Sequence, residues 1–266
     1  MPMNFREKTF KAPAVKYFLF LLVVFGNLWI WRIFTLNFIV GTIVILSTYL
    51  ILVSLKNSKL NKLLIICYLV LFLFSLKGFN LTNITKLDKQ QEVLQIQRLK
   101  LYPPVKITIG TRTIWIPAAH WLEERPETLA FFRLQHNLGE VLDPNLYFFA
   151  NHPNERVGIT ELEKFPYILL PLFLIGFFGI NFRKNLNIIA LGFVLPLIFL
   201  VVGNFPPNIE PFIIFPFIAA CGVLGVEYAK SLVLKNKNSG VKIATTLVFI
   251  LLYFLVVIQN FLSTKS

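Results

Sequence analysis

The sequence predicts an all-α polytopic membrane protein, with about seven transmembrane helices and a small, mostly helical extracytoplasmic cap. Three observations lead there. The 266 residues are 56% hydrophobic and only 15% charged, with mean hydropathy +0.69, whereas a soluble domain is roughly a quarter charged. The apolar residues gather into segments near the roughly 20 residues that cross a hydrocarbon core. The cations gather on alternate connections between those segments.

Seven segments fit a span: 15–32, 36–55, 60–77, 165–182, 186–202, 211–229 and 243–262. The first follows the basic stretch Met1–Lys16 with no small-residue cleavage site behind it, so it is expected to stay as a signal anchor. The third has the shortest uncharged stretch, Leu63 to Leu76, and relies on Lys62 and Lys77 snorkelling to the two interfaces. Pro171, Pro196 and Pro216 are expected to kink the fourth to sixth spans. Cys67 and Cys221 fall inside apolar segments and read as small buried hydrophobes.

Charge sets the orientation. The N-terminus carries Arg6, Lys8, Lys11 and Lys16, and the loop after the second span carries Lys56, Lys59 and Lys62. Arg183 and Lys184 follow the fourth span; Lys230, Lys235, Lys237 and Lys242 follow the sixth. The intervening connections hold only Arg32 and Glu210. With the third segment spanning, every basic loop lies inside; without it, every later basic loop would land outside. The expected organisation is therefore three helices over 1–77, an extracytoplasmic cap over 78–164, and four helices over 165–266, with the N-terminus cytoplasmic and the C-terminus extracytoplasmic. The lipid bilayer is the first partner implied. The net charge of +13 sits on short loops rather than on a basic face, which excludes a nucleic-acid partner.

The cap holds all three histidines and every acidic residue except Glu7, Glu210 and Glu227. Thr85 to Leu101 reads as an amphipathic helix stopped by Pro103-Pro104. Val105 to Ile116 alternates with period two around Gly110-Thr111, a hairpin whose isoleucine face needs a covering helix or the membrane surface. Pro126 opens a second helix, with Glu127 at its positive end and an apolar face of Leu129, Phe131, Phe132, Leu134, His136, Leu138 and Leu142. Asp143-Pro144-Asn145 makes a turn, and the aromatic run Leu146–Phe149 is expected at lipid-headgroup depth. A last amphipathic turn, Thr160 to Lys164, leads into the fourth span.

The cap's sharpest candidate for chemistry is Asn151–Arg156, with an imidazole, a carboxylate and a guanidinium in six residues. Arg156 could bind a lipid phosphate through paired N–H donors, and His152 or Glu155 could move a proton beside it. The plain alternative is a polar turn whose charges pair or face water. His120, His136 and His152 lack the close spacing of zinc motifs, so no metal is expected. Glu227, a turn from Lys230, reads as a solvated pair near the cytoplasmic end. Phosphate-binding glycine loops, dinucleotide fingerprints and nucleophile elbows are missing from the sequence, and no cofactor is expected.

The stretch Leu142–Phe178 runs from Leu-Asp-Pro-Asn-Leu-Tyr-Phe-Phe through Asn151-His-Pro-Asn-Glu-Arg156 into Glu-Lys-Phe-Pro-Tyr-Ile-Leu-Leu-Pro. It resembles a late extracytoplasmic loop and the following helix of bacterial GT-C membrane glycosyltransferases of the dolichyl-phosphate-mannose protein mannosyltransferase type. The resemblance covers under a fifth of the chain. It implies a setting in cell-envelope glycan or lipid-carrier metabolism, with His152 and Arg156 as contacts to a polyprenyl phosphate or lipid-linked sugar. The family's catalysis uses acidic residues in its first outer loop, and here that stretch, Trp31 to Asn37, has none. An accessory, non-catalytic protein working with a larger membrane glycosyltransferase is the leading expectation. A divergent glycosyltransferase using Glu155, Asp143 or Glu140 as acid–base group is the first alternative. A small-solute transporter is the second, for which Asn27, Asn181, Asn187 and Gln259 are few and mostly near helix ends.

Overall fold

The computed structural model describes residues 13–55, 60–76, 89–101, 104–117, 126–149, 164–203, 211–235, 248, 250–258 and 261–262. These are predominantly helical. In chain order the elements are α1 (Pro13–Phe25), α2 (Leu28–Leu36), α3 (Phe38–Ser54), α4 (Asn61–Ser75), α5 (Lys89–Leu101), β1 (Val105–Ile109), β2 (Arg112–Ile116), α6 (Pro126–Leu142), α7 (Asn145–Phe148), α8 (Leu169–Gly179), α9 (Leu186–Val202) and α10 (Phe215–Lys235). Residues 250–258 are also helical. Two units result: Met1–Leu76 with Asp143–Pro196 and Pro211–Ser266, and Lys77–Leu142 with Leu197–Glu210.

In the first unit, the segment expected as one span over 15–32 is two helices, bent by 69° between Phe25 and Leu28. Asn27 stands at the break. Its Nδ2 donates to the Val23 and Val24 carbonyls (2.9 and 2.6 Å), while its Oδ1 accepts from the Ile30 N–H at 2.9 Å. One buried side chain thus closes the C-terminus of α1 and opens α2. The other end carbonyls of α1 also find donors. Leu22 accepts from the Gly26 N–H and the Tyr253 hydroxyl (both 2.9 Å), and Phe25 from the Trp31 indole at 3.0 Å. Asn37 alone joins α2 to α3, its side chain accepting from the Ile39 and Val40 N–H groups. The stretch read as a first outer loop, Trp31 to Asn37, is therefore mostly helix.

Three helices are shorter than their expected spans, with 17 residues in α3, 15 in α4 and 11 in α8, whereas α9 covers 186–202 as expected and α10 runs for 21 residues. Tight turns shorten α8, since Leu169 N–H reaches only the Pro166 carbonyl and Leu170 N–H the Tyr167 carbonyl. Among the described residues no single helix is long and apolar enough to cross a membrane; α1 and α2 pass that test only as a bent pair. The proline expectation needs correction as well. Pro171 and Pro216 stand in the first turns of α8 and α10, where a missing N–H costs nothing. Only Pro196 is internal. It follows a π-helical turn, Ala190–Val194, in which the Leu195 N–H reaches back to the Ala190 carbonyl.

α8 and α10 meet backbone to backbone. A Cβ on Gly176 would strike the Cys221 carbonyl, and one on Gly225 the Leu172 carbonyl. Gly179 lies against the Tyr228 ring, whose hydroxyl donates to the Gly179 carbonyl at 3.2 Å. Leu50, Leu64, Tyr68, Ile189, Phe217 and Cys221 fill the adjoining core. Both cysteines are free and buried, as their apolar settings suggest. Glu227 is buried too, rather than solvated.

In the second unit the hairpin forms where the alternation predicts it. β1 and β2 pair antiparallel, Val105 opposite Ile116 and Ile109 opposite Arg112, and Gly110 takes φ +63° in the turn. α5 is described from Lys89; residues 85–88 of its expected length lie outside the described residues. α6 begins at Pro126 as expected, but its packed stripe is centred on Asn137 and Val141. Asn137 Nδ2 donates to the Val201 carbonyl in the last turn of α9, at 2.9 Å. Phe131, Phe132, Leu138 and Leu142 stay exposed.

Candidate functional site

His152, Glu155 and Arg156 lie outside the described residues, as do His120 and residues 160–163 of the turn expected over Thr160 to Lys164. The structure does describe both ends of the segment that carries them. Phe165 N–H donates to the Tyr147 carbonyl at 2.8 Å, and Lys164 Nζ donates to the Leu146 carbonyl at 2.8 Å. Residues 146–147 and 164–165 are thereby tied into a closed stem, and the six-residue polar cluster belongs to the chain between them.

The stem rests on aromatic side chains. Trp29 meets Phe215, Phe165 and Tyr147 at ring-centroid distances of 5.2, 5.6 and 6.0 Å, and Phe165 meets Phe215 at 4.9 Å. Phe148 continues the group to Phe165 and Phe173. Of the aromatic run Leu146–Phe149, the first three residues are packed in protein and Phe149 is exposed. α7 turns Leu146, Tyr147 and Phe148 inward, with Trp29 on the Tyr147 ring and Phe165 and Phe173 on the Phe148 ring. Burial raises the Tyr147 phenol above its ordinary range.

Lys164 is the unexpected member. Its side chain is buried, with the ammonium on the Leu146 carbonyl and 5.9 Å from the centroid of Trp29. A buried ammonium needs such partners, because desolvation of an isolated charge is costly. The Trp29 backbone N–H also donates to the Lys164 carbonyl at 3.4 Å. The indole Nε1–H of Trp29 is buried, with no hydrogen-bond partner among the described residues. Trp29, Tyr147, the adjacent pair Lys164–Phe165 and Phe215 come from four separate stretches of the sequence, and no periodicity links them.

The described acid candidates have local duties. The Asp143 carboxylate accepts from the Asn145 N–H at 2.9 Å, and the Asp143 carbonyl from the Leu146 N–H at 3.1 Å, so Asp143 builds the turn that starts α7. Glu140 faces His136 one helical turn back, Oε1 to Nε2 3.7 Å. The His136 side chain is 70% exposed, so of the packed and interfacial settings that its apolar sequence neighbours suggest, the packed one does not hold. Among the described residues, no cluster of three or more His, Cys, Asp or Glu side chains could hold a metal ion. Comparison of the chain with family models, curated proteins and solved structures gives no match.

Proposed function

We propose that this chain is an integral membrane protein of a bacterial cytoplasmic membrane, with residues 78–164 extracytoplasmic and both the N-terminus and the basic loops cytoplasmic. The observation that carries this reading is the apolar outer surface of its helices. Phe38 and Phe178 are each 73% exposed, and Leu36, Leu73, Leu186 and Leu251 face outward beside them in kind. In water, such surface would aggregate; in lipid it is ordinary. Two further features agree. The break at Gly26–Asn27 leaves no end carbonyl of α1 from Leu22 to Phe25 without a donor, as a hydrocarbon setting demands. The glycine contacts between α8 and α10 are the close backbone approach that membrane helices use for packing. Seven spans remain the topology that the positive-inside pattern favours, with short or bent helices accommodated by local thinning and by snorkelling lysines.

Within that membrane we assign an accessory, non-catalytic role in cell-envelope glycan or lipid-carrier metabolism. The support is the acid inventory. Asp143 and Glu140 are occupied in a turn and beside His136, and the α2–α3 connection has shrunk to Asn37 with no carboxylate near it in sequence. His152 and Arg156 are the proposed contacts to a polyprenyl phosphate, held on the Lys164 stem. A transporter ranks last, because Asn27 spends its amide on helix ends and Asn181 accepts from the Lys184 N–H within its own turn.

The test uses purified protein in detergent with polyprenyl-phosphate sugars. No turnover, together with co-purification of a larger membrane glycosyltransferase that is lost in Arg156→Ala, is the expected result. Turnover by the chain alone that disappears in Glu155→Gln would replace this reading with the divergent glycosyltransferase.

A further inference from the structure

The hairpin carries two chemically distinct faces. Val105, Ile107 and Ile109 share one face with their cross-strand partners Ile116, Ile114 and Arg112. The other face holds Lys106 opposite Trp115 and Thr108 opposite Thr113, with the Lys106 ammonium 4.3 Å from the Trp115 ring centroid. Neither face is covered among the described residues. Val105, Ile107, Ile109 and Ile114 are all exposed, Ile109 by 66%. A two-stranded sheet with a bare aliphatic face is marginal in water.

From this arrangement we infer that the hairpin docks its Val105–Ile107–Ile109–Ile114 face into the interfacial zone of a bilayer containing anionic lipid. Charge selects that occupant. From Lys89 to Ile116 the chain carries Lys89, Arg98, Lys100, Lys106 and Arg112 against the single acid Glu92, which suits a negative headgroup layer. Arg112 decides between lipid and a second copy. It shares the apolar face at the hairpin tip, where its stem can lie in hydrocarbon while the guanidinium snorkels to phosphates. Face-to-face packing of two copies would bury that charge. Lys106 and Trp115 then point away from the acyl chains. The inference rests on the membrane reading above, which places the bilayer within reach of this segment.

Nitroxide labels at Ile107→Cys, Thr108→Cys and Phe178→Cys in the full chain test it, Cys67 and Cys221 being buried. The protein is placed in nanodiscs of phosphatidylcholine with a minority of phosphatidylglycerol. Collisions with dissolved oxygen, which favours hydrocarbon, are compared with those of a water-soluble nickel chelate. Labels at Ile107 and Phe178 should favour oxygen and the label at Thr108 nickel, so that accessibility inverts across one residue. Removing phosphatidylglycerol should shift the Ile107 label toward nickel. Ile109→Cys, on the same face, repeats the measurement if Ile107→Cys does not fold. Nickel-dominated collisions at Ile107 with oxygen-dominated ones at Phe178 would overturn the hairpin docking and leave the membrane reading standing; nickel at all three sites would overturn both. Oxygen at both Ile107 and Thr108, spin–spin broadening between Ile107 labels, or no response to phosphatidylglycerol would each also overturn the docking.

Discussion

The Tyr253 hydroxyl donates to the Leu22 carbonyl at 2.9 Å, joining helical segments 231 residues apart in sequence. It sits 2.6 Å from where a Cβ on Gly26 would be, so the bond and the glycine depend on one another. Tyr253→Phe should cost about 1 kcal/mol, because the Leu22 carbonyl keeps its Gly26 donor. Gly26→Ala should cost more, roughly 2–3 kcal/mol, since the methyl meets the Leu22 backbone carbonyl first and the Tyr253 hydroxyl beside it. Unfolding in mixed micelles, with both single variants and the pair, checks the values and their coupling.

Asn27 makes three hydrogen bonds from one buried amide. Asn27→Ala strands two carbonyls and one N–H, and should destabilise the protein by about 3 kcal/mol. Asn27→Asp keeps an acceptor for Ile30 but loses both donors, so it should rescue little. The same unfolding measurement decides whether the bend depends on this residue or only passes through it.

The glycines divide into two kinds. Gly225→Ala and Gly176→Ala drive a methyl into the opposing backbone, where no side chain can yield. Each should cost at least about 3 kcal/mol or abolish the folded yield. Gly139, in the body of α6, has open space around its Cβ position. Gly139→Ala should therefore stabilise by up to about 1 kcal/mol through helix propensity alone. Thermal denaturation of the three variants tests the contrast.

Burial raises the Tyr147 phenol, so the folded protein favours its neutral form. The associated stabilisation is complete below the ordinary tyrosine value near pH 10 and is lost as pH climbs above it. Stability should fall above about pH 10, and Tyr147→Phe should make that fall shallower. Unfolding curves for the two proteins across the alkaline range measure the difference.

Local signals in the sequence were readable where one short stretch fixes its own geometry. Gly110-Thr111 set the hairpin, Pro126 the start of α6, and Asp143-Pro144-Asn145 the turn before α7. The apolar composition of 15–32 hid the break, because a hydropathy window averages over Asn27 and cannot register that its amide serves the backbone on both sides. The burial of Leu146, Tyr147 and Phe148 was not legible for a different reason. The ring partners of Tyr147 and Phe148, which are Trp29, Phe165 and Phe173, come from other parts of the chain, and only tertiary packing brings them together. Lys164 offered the same difficulty: a lysine at a segment boundary reads as a solvated charge until its carbonyl and indole neighbours are known.

The central claim, a chain that crosses the bilayer with its polar cap outside, is tested most directly by cysteine labelling in intact cells. Asn154→Cys, in the cap, should react with a membrane-impermeant maleimide, and Asn57→Cys, in the basic loop after α3, should react only after the cells are opened. Equal reactivity at both positions in intact cells, or labelling of Asn57→Cys alone, would contradict the account.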